Sequence, residues 1–239
     1  MKILALETCT AVGSIVLAED QAVIGLQQGD PSRTHGERLP LDIVRLLSEH
    51  GLSLSDIDVF SVASGPGSFT SLRVGIATMQ GLAMAQNKPL VPVSTFDAVA
   101  RGARNEIENV DVVSVWMDGQ RGEIFLALYE LVRQREVLIK PPTSGIPSEL
   151  LVDLKQFVGS RSVCIAGDAV SSSRMLFEEC LTGKVRLLND VGPLAVLVAE
   201  LAEERIGTAE TFRPHGIRPL YVRRPDAELA RDRRRRLTK

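Results

Sequence analysis

Residues 64–75 read SGPGSFTSLRVG: two glycines around a proline, then hydroxyl residues, then a run with helical spacing. Free backbone N–H groups and the helix dipole both favour an anion at such a place, so the loop has the chemistry to hold a phosphate. A P-loop needs a glycine five places after Gly67 and then a lysine, but Leu72 and Arg73 stand there. A dinucleotide fingerprint begun at Gly65 needs its third glycine at Thr70. Both readings fail. What survives is backbone freedom at Gly65 and Gly67, with Ser68 or Thr70 as a helix cap. A capped strand-to-helix turn with no ligand remains the plainer alternative.

Working outward, the first thirty residues read as a β-meander: KILALET, then GSIVLAED, then QAVIGLQQ after a tight turn at Glu19–Asp20. Leu39, Ile43, Leu46 and Leu47 predict a helix over 39–50, with Pro40 at a bend or start and Gly51 as the stop. A buried strand enters the glycine loop, a helix follows over 71–86, then the strand PLVPVST and a helix from Thr95. The second half repeats the plan: strands VDVVSVWMD, GEIFLALYE and REVLIK, a loop PPTSGIPSE, then the helix ELLVDLKQFV. RSVCIAGD reads as a buried strand, followed by two helices. The expected organisation is a lobe over 1–105, a second over 106–210, and a segment 211–239 returning to the first.

The 239 residues carry a formal charge of −2, spread unevenly: +7 from residue 211 onward against −9 before it. Much of the basic excess is RDRRRRLTK, expected as a solvated tail or as a contact to nucleic acid, tRNA included, or to an acidic partner. Three distant cysteines predict reduced thiols in the cytoplasm, and no apolar run is long enough to predict a membrane span. His35, His50 and His215 are too far apart for a metal-binding pair on one helix, so no metal site is expected, and no activated nucleophile is evident. His35 reads most simply as a surface or capping residue. ALETCTAVGS resembles the first phosphate loop of the actin-like ATPase fold. In that reading Glu7 faces a metal-bound phosphate and Thr8 and Thr10 cradle it; the alternative is a carboxylate capping a turn. The candidate nucleotide residues are therefore Glu7, Thr8, Thr10, Gly65, Gly67, Ser68 and Thr70. The helix at 71–86 carries small residues on more than one face, which suits either core packing or close approach of another subunit.

Taken together, ILALETCTAVGSIVL, RTHGERL, SGPGSFTSLRVGIATMQGLA, PLVPVSTFDAVA, MDGQRGEIFLALY and RPLYVRRPDAEL resemble, in order, the motifs of the TsaB (YeaZ) family of tRNA threonylcarbamoyladenosine biosynthesis. The resemblance implies an α/β chain of the actin-like, Hsp70-like ATPase (ASKHA) fold, with two lobes, each a mixed five-stranded sheet and flanking helices. It implies a non-catalytic subunit that supports the catalytic homologue TsaD, joined by the ATPase TsaE, reaching tRNA only through that complex. It implies a cytoplasmic protein that pairs with itself when alone. No cofactor is required by it, and weak ATP or ADP with Mg²⁺ is the most it allows. The partner interface is expected on His35, Leu39, Ile43, Leu46, Leu47, Leu72, Gly75, Thr78, Gly81, Leu82 and Ala85. Glu7, Cys9 and Ser71 replace the usual Asp, Ser and Gly, and the basic tail is an addition.

Overall fold

A computed structural model describes residues 1–133, 135–181, 185–206 and 213–223. The first strand, β1 (Lys2–Glu7), is apolar almost throughout because both its faces are covered. It pairs antiparallel with β2 (Ser14–Glu19), which pairs antiparallel with β3 (Ala22–Gln28). The turn falls on Asp20 and Gln21, both at positive φ, as a two-residue hairpin demands. After α1 (His35–Glu49) comes β4 (Val59–Ala63), then α2 (Phe69–Ala85), β5 (Leu90–Val93) and α3 (Thr95–Glu106). The sheet order is β3-β2-β1-β4-β5, with β4 and β5 parallel to β1.

The second half builds the same figure. Strands β6 (Val112–Asp118), β7 (Ile124–Val132) and β8 (Arg135–Gly145) form a meander. They are followed by α4 (Pro147–Val158), β9 (Val163–Ala166), α5 (Arg174–Cys180), β10 (Val185–Leu188) and α6 (Leu194–Ile206). The order β10-β9-β6-β7-β8 repeats the first sheet's plan, a central parallel pair leading into a meander. The expected α/β architecture of two mixed five-stranded sheets is the observed one.

Three details differ from expectation. α1 begins at His35, five residues ahead of Pro40, because Thr34 and Glu37 form a reciprocal capping box there. Pro40 sits inside the helix, which continues because Leu39, Ile43, Leu46 and Leu47 bury one whole face. β8 runs on through Pro141 and Pro142, which an edge strand tolerates. β10 follows from no pattern in its four residues.

The third helix of each half crosses over. α6 packs on β1, β2, β4 and β5, whereas α3 packs on the second sheet and on α6. A Cβ at Gly102 would lie 2.6 Å from Val191 and 2.8 Å from Leu197, so glycine is what lets α3 approach this region. The expected boundary at 105/106 thus separates α3 from the sheet it covers. α1 and α2 cover the outer face of the first sheet, and α4 with Phe177 of α5 covers the second. The arginine-rich run 231–239 lies outside the described residues.

Candidate functional site

The loop after β1 is held from within. The Thr10 N–H and hydroxyl donate to the two carboxylate oxygens of Glu7 at 2.6 and 2.9 Å. Gly13 N–H donates to Thr10 Oγ1 at 3.1 Å. Glu7 is 1% exposed, and burial pushes its carboxyl above the usual range against the opposing pull of these bonds. Of its two sequence readings, the observed contacts are those of the turn cap. Thr8 is fully buried and donates to the Ser71 carbonyl at 2.9 Å, facing α2. A Cβ at Gly75 would fall 2.2 Å from Thr8 Oγ1, so Gly75 serves this internal contact.

The glycine loop closes on the same turn. A Cβ at Gly67 would lie 2.5 Å from Cys9 Cβ, and Thr95 donates to Cys9 Sγ at 3.1 Å. Gly65 precedes a cis proline at φ +110°, and a Cβ there would meet the Leu220 carbonyl at 2.8 Å. Ser68 is the N-cap residue of α2 but makes no side-chain cap bond. Ser68 and Thr70 instead line a groove with His35, Asp118, Gln120 and Asp168.

His35 is buried, not a surface residue. Arg38, itself 1% exposed, donates to His35 Nδ1 at 2.7 Å, to the Val12 carbonyl at 2.6 Å and to Asp42 at 2.9 Å. With Nδ1 accepting, Nε2 carries the proton and donates to the Thr10 carbonyl at 3.2 Å. The pair braces the β1–β2 loop against α1. Burial, then the Arg38 charge, lowers the His35 pKa from 6.5. A histidine held neutral by the fold takes up a proton more readily when unfolded, so stability falls as pH drops through about 6.5 toward its lowered folded value. The expected result is a loss of melting temperature between pH 7 and 5 that His35→Gln makes shallower, measured by calorimetry across that range. An unchanged slope would show that His35 does not titrate on unfolding.

Glu7 ends β1 and Asp118 ends β6, the same position in the two repeats. Asp168, just after β9, accepts from Asp118 N–H at 2.9 Å, and burial, with the Asp118 charge adding to it, raises its pKa. Between the lobes lies a cavity of about 290 Å³ whose charged lining among the described residues is Glu7, Asp168 and Asp190, all acidic. Sequence reasoning does not place these carboxylates together; an acid closing the first strand of each repeat is the one signal it offers.

The helical face has a different membership from the one expected. Leu39, Ile43, Leu46, Leu47 and Leu72 are at most 3% exposed and pack in the core, and Gly75 and His35 are also buried, so they offer a partner almost no surface. Thr78 and Leu82 are half-buried or exposed at the edge, and Gly81 and Ala85 are exposed. The apolar groups that do reach solvent are Leu41 at 66%, Val44 at 57% and Met84 at 59%, beside Pro40 and Ala77. α1 and α2 pack on each other, and each carries part of this exposed set.

The chain matches the family model of TsaD, tRNA N6-adenosine threonylcarbamoyltransferase, over residues 25–230. It is 35% identical to the tRNA threonylcarbamoyladenosine biosynthesis protein TsaB of Escherichia coli over 130 residues, 54% of this chain and 55% of that protein. With TsaB of Haemophilus influenzae it shares 29% identity over 236 residues, 93% of this chain and 94% of that one. A Pseudomonas aeruginosa structure described as similar to peptidase YeaZ superposes with a TM-score of 0.77 at 25% identity, covering 93% of this chain and 99% of its own. Dehydratase activators of the actin-like fold match at TM-scores of 0.52 and 0.53 with 12% and 9% identity, a likeness of fold alone.

Proposed function

The chain belongs to the family of the tRNA N6-adenosine threonylcarbamoyltransferase TsaD, on its TsaB (YeaZ) side, and from that premise we propose a scaffold subunit without catalysis of its own. Its partner in this reading is TsaD, with TsaE joining the pair, and the product is threonylcarbamoyladenosine at position 37 of ANN-decoding tRNAs. The observation that carries it is the exposed apolar and small residues of two helices that pack on each other, Leu41 and Val44 on α1 and Met84 with Ala77, Gly81 and Ala85 on α2. Large apolar groups gathered beside small ones suit a packed helical interface. In isolation the same surface suits a second copy of the chain.

Reconstitution tests the reading. Purified TsaD, TsaE, a tRNA transcript and the threonylcarbamoyl donor are expected to form the modified nucleoside many-fold faster with this chain than without it. The chain alone is expected to form none. An equal rate in its absence would overturn the proposal.

A second reading, an actin-like phosphotransferase or ATPase, has one observation in its favour: carboxylates from both lobes line one cavity. The residues do not fit a magnesium polyphosphate, however. The Glu7 carboxylate is already engaged by Thr10, no cation among the described residues lines the cavity, and Gly67 packs on Cys9 where a cradle would open. Among the described residues no three His, Cys, Asp or Glu side chains converge as metal ligands. Calorimetry of the purified chain with ATP and Mg²⁺ is expected to give a Kd no tighter than about 1 mM. Micromolar binding with turnover would favour the enzyme.

A further inference from the structure

Residues 213–223 run along one edge of α2 and bring Tyr221 against Phe69 of that helix. The Gln80 side-chain amide donates to the carbonyls of Pro214 and Ile217 at 2.8 and 3.2 Å, pinning one end. At the other, Leu220 N–H donates to the Ser64 carbonyl at 2.7 Å and Arg73 Nε donates to Tyr221 Oη at 2.9 Å. The Phe69 and Tyr221 rings stack at 5.3 Å and 27°, and the Arg73 guanidinium lies 3.9 Å over the Phe69 ring. Both rings keep nearly two-fifths of their surface in solvent, 39% for Phe69 and 38% for Tyr221.

Arg73, Arg213 and Arg218 are exposed, and none has a carboxylate partner among the described residues. Glu123 is paired with Arg223 at 2.6 Å, while Asp118, which lines the groove beside Tyr221, is held at 2.8 Å by the neutral Gln120, which does not neutralise it. Residues 213–223 hold three arginines and no acid. Guanidinium groups without carboxylate partners, beside partly exposed, stacked aromatic rings, are the two features that bind a nucleic-acid strand, one for phosphates and one for unpaired bases.

We propose that this edge docks RNA directly, with Arg73, Arg213 and Arg218 on phosphates and the Phe69–Tyr221 pair stacking an unpaired base. The inference goes beyond the scaffold reading, in which tRNA is met only through the complex, and its test needs no TsaD. Fluorescence anisotropy of the full chain with an unmodified tRNA transcript over a salt series reads it. The triple variant Arg73→Ala, Arg213→Ala, Arg218→Ala is expected to bind at least about tenfold more weakly. Its slope of log affinity against log salt should flatten by about 2, at roughly 0.7–0.9 for each phosphate no longer neutralised. The matching triple lysine variant should keep the slope. Tyr221→Ala should cost about tenfold, while Tyr221→Phe, which keeps the ring and loses the bond to Arg73, should bind as the parent does.

An unchanged slope in the triple alanine variant, with its melting temperature intact, overturns the proposal. So does a slope lost entirely on deleting residues 231–239 while the triple variant binds normally. Equal binding of a poly-glutamate peptide, weakened by the same arginine changes and indifferent to Tyr221→Ala, would overturn it in favour of an acidic protein surface.

Discussion

Arg101→Ala is expected to destabilise the chain by about 3–5 kcal/mol, a fall in melting temperature on the order of 10 °C for a chain of this size. Arg101 lies on α3 and is 5% exposed. It forks onto Glu136 of β8 at 2.8 and 3.3 Å and onto Glu204 of α6 at 2.8 and 3.0 Å. One side chain therefore ties together helices from both halves and the edge of the second sheet. Glu136 is 9% exposed, so removing the guanidinium leaves a buried carboxylate with, among the described residues, Arg104 at 3.1 Å to offset it. The penalty is mainly that stranded charge, not the loss of an attractive pair. Adding Glu136→Gln to Arg101→Ala should then recover more than half of the loss in denaturant melts. A loss below about 1 kcal/mol for Arg101→Ala would mean that solvent reaches the network and screens it.

The second large effect concerns the outward helical face. Leu41→Arg with Met84→Arg is expected to weaken capture of TsaD by at least about a hundredfold, since each change puts a charge with no partner into a packed interface. Both side chains are well over half exposed, so the melting temperature should stay within about 2 °C of the parent. Gly81→Arg supplies an independent check: a Cβ at Gly81 meets nothing within 4 Å, so the side chain is accommodated in the free protein. Leu46→Ala makes the contrast. Leu46 is 2% exposed, so that change should cost about 2–5 kcal/mol of stability and affect capture only through unfolding. Unchanged capture by the double arginine variant would remove α1 and α2 from the interface.

Much of the fold was legible because it rests on patterns that local sequence carries. Two meanders, each followed by alternating helices and strands, pointed to the repeated sheet, and the SGPGSFTSLRVG turn located the strand-to-helix junction between β4 and α2. β10 was not legible: four residues beside a short helix carry no periodicity. The start of α1 was written in Thr34 and Glu37, but the proline drew the boundary toward itself. Core burial of Leu39, Ile43, Leu46 and Leu47 then outweighed the bond that Pro40 removes.

The site was less legible, for a physical reason. Apolar residues at regular helical spacing mark the face buried in a chain's own core. Leu39, Ile43, Leu46, Leu47 and Leu72 obeyed that spacing and are in the core; the exposed surface is made by Leu41, Val44 and Met84, which break it. Similarly, Glu7 carried two meanings as an isolated acid. Its bonds to Thr10, three residues on, appear only in the folded loop. The crossing of α3 and α6 between halves involves pairings too distant in sequence for any local pattern to report.

Photo-crosslinking gives the most direct measurement of the central claim. A benzophenone side chain placed singly at Val44, Met84 or Val152, all more than half exposed, is irradiated with TsaD present. The scaffold account predicts covalent capture of TsaD from positions 44 and 84 and none from position 152 on α4. Capture from 152 with none from 44 or 84 would contradict it.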